Sequence, residues 1–218
     1  MTPSRTRDKL HRMPSKHDSI PLYHITDVEN LPSILADGGL SSDAVMAARP
    51  GNVIGHSHIK ERRLTQIMVP CAGDRFVGEF VPFYYCPRSP MLYTVNEGAT
   101  GKPPGCQRSI VHLVTNVGFA SRLGVPFAIS VGNAGAFHTS FRSDVDALDR
   151  LDWAAISETY WQAVVHQKAA EFLVADSFPW TGIFEIGCHD EDIVEAVRTI
   201  LASAEHRPQV TVQRSWYY

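Results

Sequence analysis

Two side chains carry most of the chemistry that this sequence offers. Glu171 opens the apolar run Glu171-Phe172-Leu173-Val174, and a carboxylate in such a place is almost never buried without a partner. It reads either as a solvated acid at a sheet edge or as an acid set beside developing positive charge. His24 sits within Leu22-Tyr23-His24-Ile25-Thr26, where one face of a strand must be buried. A core histidine bonded to backbone is the plainer reading; an imidazole offered to a ligand hydroxyl is the other. The run Lys60-Glu61-Arg62-Arg63 is either a solvated helix face or a place where guanidinium groups meet an anion.

Other arrangements say less. His56-Ser57-His58 has the H-x-H spacing of some metal sites, but no cluster of Asp, Glu or Cys accompanies it, so polar loop histidines and no metal are expected. Glu158 and Glu171 would serve glycoside hydrolysis only at the right separation, which a sequence does not give. A Ser-His-Asp reading lacks a G-x-S-x-G elbow. No strand–G-x-G-x-x-G–helix unit appears either, which argues against a Rossmann dinucleotide site.

The elements that must position these residues are short. Pro21 to Ile25 alternates in polarity and predicts a strand. A helix follows from Leu31, with Asn30 as a possible cap, Pro32 in its first turn and Gly38-Gly39 as its stop. His58 to Gln66 predicts a second short helix carrying Lys60, Arg62 and Arg63. Strands are expected over Phe76–Tyr85, Met91–Val95, Ser109–Thr115, Pro126–Val131, Glu171–Ala175, Gly182–Ile186 and Gln209–Gln213. Asp152 to Val165 has helical spacing. Asp190 can cap a last helix with the stripe Ile193, Val197, Ile200, Leu201 and Ala204. Many short strands with few short helices predict an α+β fold around a mainly antiparallel sheet.

Composition fits that picture. The 218 residues are 44% hydrophobic and 20% charged, ordinary globular usage that excludes a disordered chain, a coiled coil and a collagen-like repeat. No apolar run approaches the about 20 residues that cross a bilayer, so no membrane partner is expected. Cys71, Cys86, Cys106 and Cys188 stand far apart with no CxxC pair, as in a reduced protein, and a cytoplasmic setting follows. The net charge of −3 hides an asymmetry. Residues 1–150 hold 16 of the 20 Lys and Arg against 13 of the 23 Asp and Glu. Residues 151–218 hold 4 and 10. A polyanion would therefore be met by the first two thirds. Residues 1–19 are basic and poor in large apolar side chains, and are expected to form a flexible arm before a single domain over 20–218.

An ordered set of segments then resembles one family. Tyr23-His24-Ile25-Thr26 and Asn30-Leu31-Pro32-Ser33-Ile34-Leu35-Ala36-Asp37-Gly38-Gly39-Leu40 are similar to the opening of the DarT-type DNA ADP-ribosyltransferase toxins. The likeness continues through Ile59-Lys60-Glu61-Arg62-Arg63 and is strongest over Val81 to Tyr93. It resumes at Ile110-Val111-His112-Leu113, Phe137-His138-Thr139-Ser140-Phe141 and Ala170-Glu171-Phe172-Leu173-Val174, and ends in Trp216-Tyr217-Tyr218. It spans residues 20–218. The resemblance implies an ADP-ribosyltransferase fold, a split and mostly antiparallel sheet gripping NAD in its cleft. It implies transfer of ADP-ribose from NAD to a base in single-stranded DNA, thymidine first and guanine second. It also implies a macrodomain antitoxin of the DarG kind as partner. Transfer to RNA or protein, or an idle binding module on the same fold, are the alternatives.

By the same resemblance, Glu171 matches the family's catalytic glutamate and His24 its NAD-binding histidine. Thr26 and Asn30 follow in the nucleotide segment, Asn30 either at NAD or capping its helix, with Gly38 at that helix's end. Arg63, or its neighbour Arg62, would hold the attacked base and neutralise its charge. Among Phe83, Tyr84 and Tyr85 one ring would stack on nicotinamide, Tyr84 being chosen, and Arg88 would meet phosphate. Thr139, Ser140 and Arg142 would face the DNA strand. The sequence departs from its relatives at His166-Gln167-Lys168, where they are often more basic, which puts DNA affinity rather than NAD chemistry in question.

Overall fold

The computed structural model describes residues 15–47, 57–99 and 103–218, with the side chains of 57–59 left out. In chain order its elements begin with β1 (Pro21–Asp27), α1 (Leu31–Ala36), β2 (Gly39–Ser41), α2 (Asp43–Met46) and α3 (Ser57–Thr65). Then come β3 (Met68–Val69), β4 (Arg75–Phe76), β5 (Phe80–Tyr84), α4 (Pro90–Asn96), β6 (Ile110–Asn116) and α5 (Val117–Ser121). After these are β7 (Phe127–Asn133), β8 (Phe141–Arg142), α6 (Trp153–Ser157), α7 (Val165–Lys168) and β9 (Ala170–Ala175). The last are β10 (Ser177–Pro179), β11 (Glu185–Cys188), α8 (Glu191–Ile200) and β12 (Gln209–Val212).

Eight strands make one sheet in the order β12-β11-β6-β1-β5-β9-β7-β8. Every neighbouring pair in it runs antiparallel except β11 with β12. The predicted α+β class and antiparallel sheet are what the chain forms. The sheet is split near its middle. β1 pairs with β6 along its whole length, from Pro21–Asn116 to Asp27–Ile110. On its other edge it meets β5 at one register position, Tyr23 opposite Tyr84. Past that point the two strands part. β9 lies inside the second half, between β5 and β7, and all six of its residues are buried. The main core is built from both halves, including Leu22, Leu113, Phe83, Phe172, Phe178 and Val197.

Several expected elements differ, each for a local reason. Met91 to Val95 is helix, not strand. Ser89 caps it by accepting from the Leu92 N–H at 3.2 Å, Pro90 suits its first turn, and Leu92 and Val95 bury one face at helical spacing. The long strand expected over Phe76–Tyr85 is broken by a 3-10 turn at Val77–Glu79. There Gly78 lies so close to Leu64 that an added Cβ would approach it to 2.7 Å. The strand expected at Gly182–Ile186 begins later, at Glu185, because Trp180–Gly182 forms a turn.

The helix expected over Asp152–Val165 stops at Ser157. In a continuing helix the carbonyls of Ile156 and Glu158 would accept from the N–H groups of Tyr160 and Gln162. Here the buried ammonium of Lys168 takes both carbonyls, at 2.8 and 2.9 Å. The Tyr160 N–H turns instead to the Glu158 carboxylate at 3.0 Å.

Only the end of the proposed N-terminal arm falls among the described residues, and it packs. His17 is buried, Lys16 reaches Asp149 at 2.9 Å, and Asp18 accepts from Arg122 at 2.6 Å.

Candidate active site

β9 brings Glu171 into the interior of the sheet, between β5 and β7, where it is 1% exposed. Such a carboxylate needs a counter-charge, and Arg63 on α3 supplies it. Arg63 Nη1 donates to Oε1 at 3.0 Å and Nη2 to Oε2 at 2.9 Å. This paired geometry is specific to guanidinium and an ionised carboxylate, both of whose oxygens accept. Burial works against the charge on Arg63, but the Glu171 charge and its two hydrogen bonds outweigh it and hold the guanidinium protonated. The backbone on either side is fixed as well. The Glu171 N–H donates to Ser130 Oγ on β7 at 2.8 Å.

Tyr84 stands directly opposite Glu171 in the β5–β9 ladder. Burial, with the Glu171 charge added, pushes its hydroxyl above the ordinary tyrosine range despite Arg63 nearby. It therefore stays protonated and able to donate. Tyr84 is also the residue at which β1 and β5 part.

His24 bridges that parting. Its Nδ1 lies 2.8 Å from the Pro82 carbonyl oxygen. A carbonyl only accepts, so Nδ1 carries the proton and Nε2 keeps a lone pair. Burial lowers the imidazole below the ordinary histidine value, against the Pro82 bond and Asp43. The neutral ring can accept a hydrogen bond from a ribose hydroxyl. The backbone-bonded reading of His24 is therefore what the fold shows, and it leaves Nε2 without a role in holding β1 to β5.

Two residues on, Thr26 is buried and its Oγ1 accepts from Asn30 Nδ2 at 3.1 Å. Asn30 does not cap α1 with its side chain, which removes one of its two expected roles. Gly38 has φ +74°, a left-handed turn that favours glycine, and its carbonyl accepts from the Trp180 N–H at 2.8 Å. It borders an open hollow of about 730 Å³ with Leu35, Trp180 and His206. None of the other candidate residues lines that hollow.

Arg62 and Arg63 are sent to different places by the helix turn between them. Arg62 Nη2 donates to the Gly135 carbonyl at 3.0 Å, and its guanidinium lies 4.9 Å from the centre of the Phe137 ring. Thr139 closes the same β7–β8 loop, donating from Oγ1 to the Asn133 carbonyl at 2.5 Å. Ser140 is exposed, and Arg142 on the short edge strand β8 donates to the Phe141 carbonyl at 3.0 Å. Arg88 lies across the Tyr218 ring at 4.6 Å and lines a cavity of about 370 Å³ with Tyr85, Trp153, Trp161 and Lys168.

Glu158 does not join Glu171. Its carboxylate accepts from the N–H groups of Thr159 and Tyr160, so no glycosidase-like pair forms. His56 lies outside the described residues, as do the side chains of Ser57 and His58. Among the described residues no three His, Cys, Asp or Glu side chains gather as metal ligands. Residue spacing left three supports unseen: Ser130 behind Glu171, Lys168 under the segment before it, and Phe137 beside Arg62. A lysine among apolar neighbours was the one usable signal for Lys168; the other two depend on cross-strand partners.

This arrangement matches known proteins over nearly the whole chain. The family described as "ssDNA thymidine ADP-ribosyltransferase, DarT" matches residues 23–218. A DNA ADP-ribosyl transferase of Thermus aquaticus is 40% identical over 199 residues, covering 90% of this chain and 88% of its own. The structure of Thermus sp. 2.9 DarT in complex with ADP-ribosylated single-stranded DNA aligns with a TM-score of 0.85 at 36% identity, over 91% of this chain and 96% of that one. The same protein in complex with NAD+ aligns with a TM-score of 0.82 at 34% identity, over 91% and 98%. A buried Arg–Glu pair at the split of an antiparallel sheet, and these matches along its length, establish that the chain belongs to the DarT family of DNA ADP-ribosyltransferases.

Proposed function

We propose that this protein transfers ADP-ribose from NAD to thymidine in single-stranded DNA and releases nicotinamide, acting as the toxin of a toxin–antitoxin pair. The observation that carries the reading is the Arg63–Glu171 pair, opposite Tyr84 and beside the His24 bridge, at the point where β1 and β5 part. A cleft with a ribose-hydroxyl acceptor, an aromatic ring and a buried carboxylate suits the nicotinamide riboside half of NAD. The Thermus relative whose structure holds NAD+ supports it.

In this reading the bond from ribose C1 to nicotinamide breaks, and its electron pair leaves with nicotinamide. A ring nitrogen of the base forms the new bond to C1 and gives up its proton to solvent. Glu171 accepts from the ribose 2′-hydroxyl and stabilises the positive charge that builds on the sugar, a contribution greatest at the transition state. His24 Nε2 accepts from a ribose hydroxyl, and Thr26 and Asn30 line the path of the nucleotide, with Gly38 at the far end of the helix that follows them. Tyr84 stacks near nicotinamide. Arg63 stays cationic and holds the base as its ring nitrogen turns anionic, and Arg88 meets phosphate. Thr139, Ser140 and Arg142 face the strand. The base must be unstacked to react, which favours single strands over duplex.

The partner expected for such a toxin is a macrodomain antitoxin that removes the modification, in a reduced, cytoplasmic setting. The test is incubation with NAD and defined oligonucleotides, followed by mass measurement and fragmentation. A gain of one ADP-ribose on thymidine is the expected result. The same gain on guanine would move the assignment to the other base, and transfer only to RNA or protein would end the DNA assignment.

A further inference from the structure

Phe137 is the most exposed phenylalanine among the described residues, at 69%, in a protein that buries Phe80, Phe83, Phe172 and Phe178 completely. Its exposure is not slackness. The loop that carries it is closed by Ala136 N–H to the Asn133 carbonyl at 3.0 Å and by Thr139 N–H to the Ala136 carbonyl at 3.1 Å. Asn133 Oδ1 accepts from the Gly135 N–H at 2.8 Å. The loop is then clamped from two other elements. From α3, Arg62 bonds the Gly135 carbonyl and lies against one side of the Phe137 ring. From α7, His166 packs on His138 with ring centres 4.5 Å apart.

The position is as telling as the rigidity. The loop leaves β7 at Asn133, which pairs with Ala170, the residue before Glu171. The arginine against the ring is the chain neighbour of the one that holds Glu171. The loop that carries Phe137 therefore leaves the sheet one register position from Glu171. A flat ring with one side on a guanidinium and the other open takes a second flat π system, and the cation adds attraction for the adjacent phosphate. The Arg62 Nε–H is buried and has no hydrogen-bond partner among the described residues, so this guanidinium has donor capacity left over.

We infer that Phe137, backed by Arg62, is a stacking platform for a nucleobase flanking the one that is modified. This rests on the DNA reading of the site above. It assigns Arg62 to positioning the strand and leaves Arg63 at the reacting centre.

The experiment pairs Phe137→Ala and Phe137→Trp with a set of single-stranded oligonucleotides, each holding one thymidine and one abasic position at a different distance from it. Binding is read by fluorescence anisotropy, transfer by mass, and NAD affinity by calorimetry. Phe137→Ala should weaken oligonucleotide binding roughly 5- to 100-fold, and Phe137→Trp should restore it. NAD affinity should match the parent in both. One abasic position should weaken the parent by a similar factor and have little further effect on Phe137→Ala, which identifies the stacked base. Parent-like DNA binding by Phe137→Ala would overturn the platform while leaving DNA transfer standing, and would turn attention to a protein partner for the exposed ring. Abasic penalties that remain undiminished at every position in Phe137→Ala would overturn it too. Failure of the parent to modify any DNA would remove both the platform and the reading beneath it.

Discussion

Arg63 and Glu171 stand 108 positions apart in the chain and meet through two parallel hydrogen bonds of 3.0 and 2.9 Å. The pair joins α3 to β9, a buried interior strand of the sheet. It places a carboxylate in the protein interior and balances its charge with a guanidinium. Its structural and chemical roles are therefore separable by substitution.

Removing either partner leaves the other charge buried and alone. Arg63→Ala and Glu171→Ala should each lose about 3–5 kcal/mol of stability. The double variant should lose clearly less than the sum of the two. A thermal or urea unfolding cycle over the four proteins checks this, and strict additivity would contradict the coupling.

Glu171→Gln keeps the size of the side chain and gives up its charge. Transfer should fall on the order of 100-fold or more, because the lost term is felt most at the transition state. NAD affinity should change much less. Single-turnover transfer to an oligonucleotide, alongside calorimetric titration with NAD, gives both numbers. A variant that transfers ADP-ribose to the oligonucleotide as fast as the parent would rule out Glu171 as the charge partner.

His24→Ala should weaken NAD binding and also loosen the split, since the imidazole spans from β1 to the Pro82 carbonyl on β5. Arg62→Ala should leave NAD affinity near that of the parent, because its guanidinium is engaged with Gly135 and Phe137. Equal losses of NAD affinity in the two variants would erase the distinction.

Acid should destabilise the fold through its histidines. His112 is buried between the Pro87 carbonyl and the Tyr217 hydroxyl, and burial lowers it to about 4 from 6.5. Burial lowers His24 and His166 as well, His166 with help from His138. Each is held neutral in the folded state and gains its proton more readily when unfolded. Stability is complete above about pH 6.5 and falls as the pH drops toward 4, with His112 alone contributing roughly 3 kcal/mol. Urea midpoints measured from pH 7.5 to 4.5 should decline, and His112→Gln should flatten the decline. A flat parent profile would refute this.

Lys168→Met should release the segment between α6 and α7. Its ammonium holds two carbonyls that the interrupted helix leaves without partners, and hydrogen bonds from a charged donor contribute about 1.5–3 kcal/mol each. Limited proteolysis should cut the variant between residues 157 and 164 well before the parent. Unchanged cleavage would mean that the segment is held by its apolar contacts alone.

Much of this was legible in the residues. Alternating polarity marked β1, apolar β-branched runs marked β6, β7 and β9, and the Asp190 cap with its apolar stripe marked α8, because burial on one face or on both dictates the pattern. Glu171 and His24 stood out by type, since polar groups inside apolar strands require partners. The reading failed where a distant group or a cap overrode residue preference. Lys168 stops a helix that its own spacing would continue, and Ser89 with Pro90 makes a helix of residues whose types suit a strand.

The sequence by itself determined most of the elements, the family and the few side chains able to do the chemistry. Only the tertiary structure decided which of them meet. Adjacent arginines on one helix point about 100° apart, so register alone could not say which one reaches Glu171; the packing of α3 across the cleft did. The split between β1 and β5 was equally invisible, because two strands that pair at one position and then diverge look, residue by residue, like two strands that pair throughout. Pairing is a property of the partner strand's path. The split arises from that path, and the Arg63–Glu171 pair from the packing of α3 against β9.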